Sequence, residues 1–339
     1  MANAAARCPL DPVASSPPSH ARCRANTPLR PSPTHALVLT TSRSLQGVPQ
    51  PSPFNASKLA LLVENRPLPI LAPLTLHFIS VLPPDWRVLF LGSPPSLAAI
   101  NASAAIRTHA RAGKLVLRPI PANMSTAGPE MISRFLTAPW LYETAVAPAE
   151  WLLVFQADSM LCANSKLDVD GFLGYDWLGA PWNPEGDWGG NGGLSLRRVS
   201  RIVDILRNQE RANDTEPEDV WLTERLAHYP NSRTANGSVS LTFSGEMHSG
   251  VPEQVVDLAM RNGTIYNDGT YVKGMDDWRD GFYEPMGYHT GGSGVWLHGA
   301  IWGLPEMRQH IYNYCPEVKM TLAMDVARYV PGTCGIRWG

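Results

Sequence analysis

The sequence lacks any run of about 18 uninterrupted apolar residues, the length a membrane-spanning helix requires. Its nearest approach, Leu59–Leu82, is interrupted by Glu64, Arg66 and three prolines. An excess of charge is also missing. The 28 Lys and Arg residues stand against 30 Asp and Glu, for a net charge of -2 and a pI near 6.5. That balance gives no general attraction to nucleic acid or to an anionic membrane. Cysteine is scarce, with 5 in 339 residues, and none sits in a CxxC or His-rich setting, so a zinc site is not expected. Neither a Walker loop nor a dinucleotide fingerprint occurs, and no internal repeat is visible. The amino terminus has no apolar central segment of the kind a signal peptide carries.

Residues 1–56 hold ten prolines, many Ser and Ala, several Arg and one acid, Asp11. Such a segment cannot bury enough apolar surface to offset its ordering entropy. The expectation is a disordered tail over 1–56 and one folded domain over 57–339. Six Asn-x-Ser/Thr sequons, at Asn55, Asn101, Asn123, Asn213, Asn236 and Asn262, lean toward the lumen of the secretory pathway or Golgi. The missing signal peptide leans toward the cytoplasm. In an oxidising lumen Cys315 and Cys334, 19 residues apart, are expected to pair; in cytosol they stay reduced.

The folded part opens with alternating short apolar runs and helical patterns. Strands are expected at Leu59–Val63, Arg87–Leu91, Lys114–Leu117 and Trp151–Phe155, with helices at Leu68–Leu82, Ile100–Ala112 and Glu130–Tyr142 between them. This βαβαβαβ series predicts an α/β fold with a mostly parallel sheet flanked by helices. Farther on, regularity falls and Gly, Trp and Asp rise. A short strand is expected within Phe172–Trp182, a mobile glycine-rich loop over Gly186–Gly193, helices over Val199–Leu206 and Val220–His228, and a strand at Leu241–Phe243. The rest reads as a loop-rich carboxyl-terminal half.

The fourth strand opens the stretch WLLVFQADSMLC, Trp151–Cys162, and Asp158 follows at its carboxyl end. Five successive apolar residues suit a strand buried on both faces, and open α/β sheets bind ligands at the carboxyl ends of such strands. Asp158 is therefore either a ligand-site carboxylate or the cap of the next turn. Thr215-Glu216-Pro217-Glu218 fits a capping box with Thr215 as N-cap and Glu218 at N3, which would leave Asp219 free to face a cleft.

Six segments, in order, carry a resemblance: LALLVENRPLP at 59–69, FQADSMLC at 155–162, YDWLGAPW at 175–182, GGNGGLSLRR at 189–198, PEDVWL at 217–222 and PMGYHTG at 285–291. With them the chain resembles a family of glycosyltransferase-like domains, known mostly from fungi and catalogued as a domain of unknown function. The resemblance implies a Rossmann-like GT-A fold that transfers sugar from a nucleotide-sugar donor to a glycan, protein or lipid acceptor, with 57–162 binding the nucleotide and 163–339 the acceptor. It implies that Asp158, with Ser159 beside it, belongs to an acidic motif that helps hold a divalent metal (Mn2+ or Mg2+), with His289 preferred over His298 as a distant ligand. Glu64 and Arg66 would meet the nucleotide; a surface Glu–Arg pair is the competing reading. Asn191, Gly192 and Gly193 would line the sugars, and Asp219 or Glu218 would serve as base, with Glu246 in reserve. The motif keeps one carboxylate where many such families have two, so a catalytically inactive carbohydrate-binding or scaffold protein is the alternative. Tryptophans 177, 182, 188 and 296 either stack on sugar rings or fill the core.

Overall fold

The computed structural model describes residues 52–249 and 282–323. Residues 1–51 of the expected tail, Asn262 and Cys334 lie outside the described residues, whereas residues 52–56 are described and the Asn55 N–H donates to the Asp85 C=O at 2.9 Å.

Apolar runs build the central sheet. Its first strands are β1 (Lys58–Glu64), β2 (Arg87–Gly92), β3 (Leu115–Pro119) and β4 (Trp151–Phe155), all parallel. Two more follow, β6 (Trp177–Ala180) and β7 (Asn191–Arg198), for an order of β3-β2-β1-β4-β7-β6. β7 lies antiparallel to both its neighbours. The sheet is thus mostly parallel, as the βα alternation predicts. Because the chain winds outward from β1 through β3 and then returns to the other side of β1 as β4, the strand order reverses between β1 and β4.

Alternate side chains of these strands point to opposite faces, and both faces are covered. Ala60, Leu62, Phe90, Leu153 and Phe155 pack under helix α1 (Leu71–Val81), whose Leu71, Leu74 and Phe78 recur at helical spacing. Phe78 stacks on Phe155 with ring centroids 3.7 Å apart. Leu61, Leu91, Leu152 and Val154 face the other way, against α5 (Val199–Asn208) and α6 (Glu218–Ala227). Each such Leu, Val or Phe side chain contributes about 1.5–3 kcal/mol when fully buried, so β1, β2 and β4 are held from above and below.

A small second sheet sets the site. Strands β5 (Ser159–Leu161), β8 (Ser244–Gly245) and β9 (Gly287–His289) lie in the order β5-β9-β8. Its register pairs Ser159 with His289, so a residue 130 positions away lands beside the end of β4.

Several expectations are corrected. The helix expected over Ile100–Ala112 is two helices, Pro94–Asn101 and Ala104–Arg111, because Ser93 and Ser103 each cap a new start by accepting the N–H of Ser96 and Ile106. The one expected over Glu130–Tyr142 stops at Leu136, ahead of Pro139, and a separate π-helical turn spans Leu141–Ala145. Leu241–Phe243 is the end of a helix, Gly237–Phe243, started by the Asn236 side chain accepting the Val239 N–H; the strand begins only at Ser244. The glycine-rich loop ends at Gly190, since Asn191–Gly193 already belongs to β7. The second half is correspondingly less irregular than its composition suggests.

Cys315 is bonded to Cys162, at the end of β5, and not to the expected Cys334. The two partners are 153 residues apart in sequence, so spacing gave no sign of them. The bridge ties the second sheet to the helix Pro305–Tyr314. Replacing either cysteine by serine is expected to lower the unfolding free energy by about 2–5 kcal/mol. The reading is a lowered urea midpoint, with wild type moving likewise under reductant; a midpoint indifferent to both would remove the bridge from the stability account.

Candidate active site

A cavity of about 700 Å³ opens where the strand order reverses. Its walls come from the end of β1 (Val63–Arg66), the 126–136 segment and the end of β4 (Val154–Asp158), and His289, Gly292 and Ser293 complete it. Open α/β sheets place their ligands in this kind of crevice, because the diverging connections leave a gap beyond the strand ends.

Asp158 lies at the cavity with its side chain largely buried. Its Oδ1 is 3.4 Å from His289 Nε2, and its Oδ2 accepts the Ser293 N–H at 2.8 Å. The other imidazole nitrogen, Nδ1, is 3.2 Å from Glu246 Oε1. These are ionic contacts more than aligned hydrogen bonds: among the described residues neither ring nitrogen has a hydrogen-bond partner, nor does Glu246 Oε2. Burial works against a charged imidazole, but Asp158 and Glu246 outweigh it and push the His289 pKa up to about 10. Burial likewise works to raise the Asp158 pKa, and His289 outweighs it, holding the carboxyl below its ordinary value. Two carboxylates thus flank one imidazole beside the cavity.

The glycines of β7 form the ground on which this cluster rests. Gly193 C=O accepts both the Gln156 N–H (2.9 Å) and the Ser159 hydroxyl (2.8 Å), joining β7 to the turn that carries Asp158. The Gly193 N–H donates to Asn191 Oδ1 at 2.6 Å, and Asn191 Nδ2 donates to Glu246 Oε1 at 3.4 Å. A Cβ on Gly193 would overlap the His289 ring, so only glycine lets the imidazole sit there. Asn191, Gly192 and Gly193 were expected to line the sugars, but the Gly192 and Gly193 N–H groups are engaged within the protein.

Glu218 and Asp219 lie beneath Gly192, and both are buried. The expected capping box is absent: α6 starts after Pro217 with no side-chain cap, and Glu218 instead accepts from Arg197 Nη2 at 2.9 Å. Arg197 is fully buried, with Trp177 stacked on its guanidinium at 4.4 Å. Burial, then the neighbouring Asp219, pushes the Glu218 pKa up to about 7 against the pull of Arg197. Asp219 is not free to face the cleft: Oδ2 accepts the Gly192 N–H and Oδ1 the Val220 N–H, each at 2.9 Å.

Of the other expected site residues, Glu64 and Arg66 line the cavity and also form the competing pair, with Arg66 Nε and Nη2 donating to the two Glu64 oxygens at 2.9 and 2.7 Å. Ser159, Gly192 and Gly193 support the cavity from below instead of lining it, and Ser159 is fully buried. His298 precedes a short helix, Gly299–Trp302, and does not line the cavity. Trp177 is core, while Trp296 is exposed. Asn65 donates to Thr126 Oγ1 at 2.6 Å and the Ser293 N–H to Asp158; these partners are 61 and 135 residues distant, beyond any spacing rule.

A family model described as a protein of unknown function (DUF5672) matches residues 114–258, less than half of the chain. No curated protein matches it. Among solved structures, the chain is similar to the mannosyltransferase PcManGT from Pyrobaculum calidifontis in complex with GDP-Man and Mn2+, at 12% identity and a TM-score of 0.38, covering 55% of this chain and 56% of that one. It is also similar to an active-site mutant of LgtC (15% identity, TM-score 0.40, 79% of this chain and 97% of that one). A third is the apo form of the glycosyltransferase GlyE in Streptococcus pneumoniae (9% identity, TM-score 0.43, 81% and 62%). The chain thus spans less than two thirds of the mannosyltransferase and of GlyE.

The buried Glu218 makes stability depend on pH with a definite sign. Between pH 4.5 and about 7 the folded state holds a proton that the unfolded chain has released, so stability falls as pH rises through that window. The loss amounts to on the order of 3 kcal/mol. Glu218→Gln is expected to flatten this slope in urea titrations run at successive pH values; an unchanged slope would show that another group carries it.

Proposed function

We propose that the chain is a glycosyltransferase of the GT-A type, taking sugar from a nucleotide-sugar donor with the help of a divalent metal. One observation carries this reading: a large cavity at the strand-order reversal has a buried Asp158–His289–Glu246 cluster beside it. Among the described residues no group of three or more His, Cys, Asp or Glu side chains is arranged to hold a metal ion. Mn2+ and Mg2+ in phosphate sites need fewer protein ligands, because one or two side chains combine with phosphate oxygens and water. The unsatisfied ring nitrogens of His289 fit such a cation, with Asp158 and His289 Nε2 as its protein ligands and Glu246 orienting the ring through Nδ1. A metal bound there would neutralise the diphosphate of the departing nucleotide. Because His289 must shed its proton to bind a cation, affinity is expected to fall as pH is lowered.

The rest of the cavity suits a donor. Phe135, Leu136 and Val154 offer an apolar wall, while Asn65, Glu64 and Arg66 supply polar groups at the end of β1. Most of this lining comes from the first half of the domain, consistent with nucleotide there and acceptor on the side of the second half. The acceptor is a glycan, protein or lipid hydroxyl. A luminal, oxidising location is supported by the Cys162–Cys315 bridge and by exposed sequon asparagines at 101, 123 and 213.

The test is calorimetric or thermal-shift titration with UDP and GDP, each with and without Mn2+, followed by donor hydrolysis. A nucleoside diphosphate at 100 times its Kd with Mn2+ is expected to stabilise the chain by about 2.7 kcal/mol. Asp158→Ala and His289→Ala should each abolish the metal-dependent part. No nucleotide binding under any condition contradicts the proposal. Binding without hydrolysis or transfer favours the catalytically inactive alternative.

A further inference from the structure

The carboxylate beside the site that looks most like a base does another task. Gly192 is gripped on both sides by a buried charged group. Asp219 Oδ2 takes its N–H at 2.9 Å, while Arg197 Nη2 (3.2 Å) and the Ser195 hydroxyl (2.9 Å) donate to its C=O. Arg197 is itself fixed by Ser195 Oγ (2.9 Å), Glu218 Oε1 (2.9 Å) and Tyr142 OH (3.3 Å). The fit is tight: a Cβ on Gly192 would come within 2.6 Å of Glu218 Oε1 and 2.8 Å of Arg197 Nη2. One residue on, the Gly193 backbone is the surface against which His289 lies, and its carbonyl holds the Asp158 turn through Gln156 and Ser159.

We propose that Asp219 and Arg197 are positioning residues: they clamp the Gly192 peptide so that Gly193 holds the His289 ring between Asp158 and Glu246. Three observations separate this from service as a general base. Asp219 does not line the cavity, both its oxygens already accept backbone N–H groups, and it is 9% exposed. A base must reach the hydroxyl proton it removes, at about 3 Å or through one water. A clamp must instead be buried and fully engaged, since leaving a buried polar group unmatched is costly. The structural consequence for His289 holds for any ligand of the cavity; its effect on turnover rests on the glycosyltransferase reading.

The experiment compares Asp219→Ala with Asp219→Asn in the full chain. Its readout is the His289 imidazole 1H–15N NMR signal, assigned as the one lost in His289→Gln. Asparagine keeps an oxygen for the Gly192 N–H but cannot act as a base. The clamp predicts a displaced or broadened His289 signal in Asp219→Ala, with the other histidine signals in place, and its return in Asp219→Asn. Donor turnover should follow the same order, falling at least tenfold in alanine and recovering to within tenfold of wild type in asparagine. A His289 signal unmoved in Asp219→Ala overturns the proposal. So does a wild-type signal in Asp219→Asn with kcat reduced by about 10²–10⁴, the loss expected when a general base is removed. Should Asp219→Ala not fold, the asparagine variant decides by that same criterion. If wild type itself shows no turnover, the enzyme reading falls while the imidazole signal still judges the clamp.

Discussion

Two carboxylates brought together in a buried place repel each other unless a positive charge lies between them. Here that charge is the imidazole of His289, 3.4 Å from Asp158 and 3.2 Å from Glu246. Three separate parts of the fold must meet to assemble it: the turn after β4, the strand β9 and the segment after β8. The small second sheet exists in the position it does because β5 continues the turn bearing Asp158 and pairs directly with β9. Misplacing β9 takes the imidazole from both buried carboxylates, and removing one member of a buried ion pair costs about 3–5 kcal/mol.

The same constraint explains the glycines of β7. They are not the slack of a loop; they are the thin places in a packed strand. Gly193 admits the imidazole, and Gly192 admits the side chains of Arg197 and Glu218. A second buried cluster therefore sits directly beneath the first, joined to it by one stretch of backbone. The strand β7 thus carries an ion cluster on each side, and the cavity opens beyond the ends of β1 and β4.

Much of this was readable in the sequence, and the limits have physical causes. Strands β1, β2 and β4 were legible because each carries an apolar run buried on both faces, the edge strand β3 showed only a short Leu-Val-Leu run, and the alternation with helices pointed to a parallel sheet. From that alone Asp158 was expected just beyond the carboxyl end of a central strand, as a ligand-site carboxylate or as the cap of the next turn. β7 was hidden because glycine has no side chain with which to show a period of 2, so NGG looked like a loop. The helix Gly237–Phe243 passed for a strand because its short apolar end carries no helical period of its own. Glu246 was visible only as a reserve base, since its meeting with His289 depends on the pairing of β8 with β9. The Cys162–Cys315 bridge and the Asn65–Thr126 contact are products of tertiary structure, with no trace in local spacing.

The functional account turns on whether the Asp158–His289–Glu246 cluster beside the cavity receives a cation together with a diphosphate. Anomalous X-ray scattering from crystals grown with Mn2+ and a nucleoside diphosphate asks this directly. The account predicts a manganese peak within bonding distance of Asp158 and His289 Nε2, with the diphosphate on its cavity side. A bound nucleotide with no manganese there, or manganese held by other residues, would contradict it.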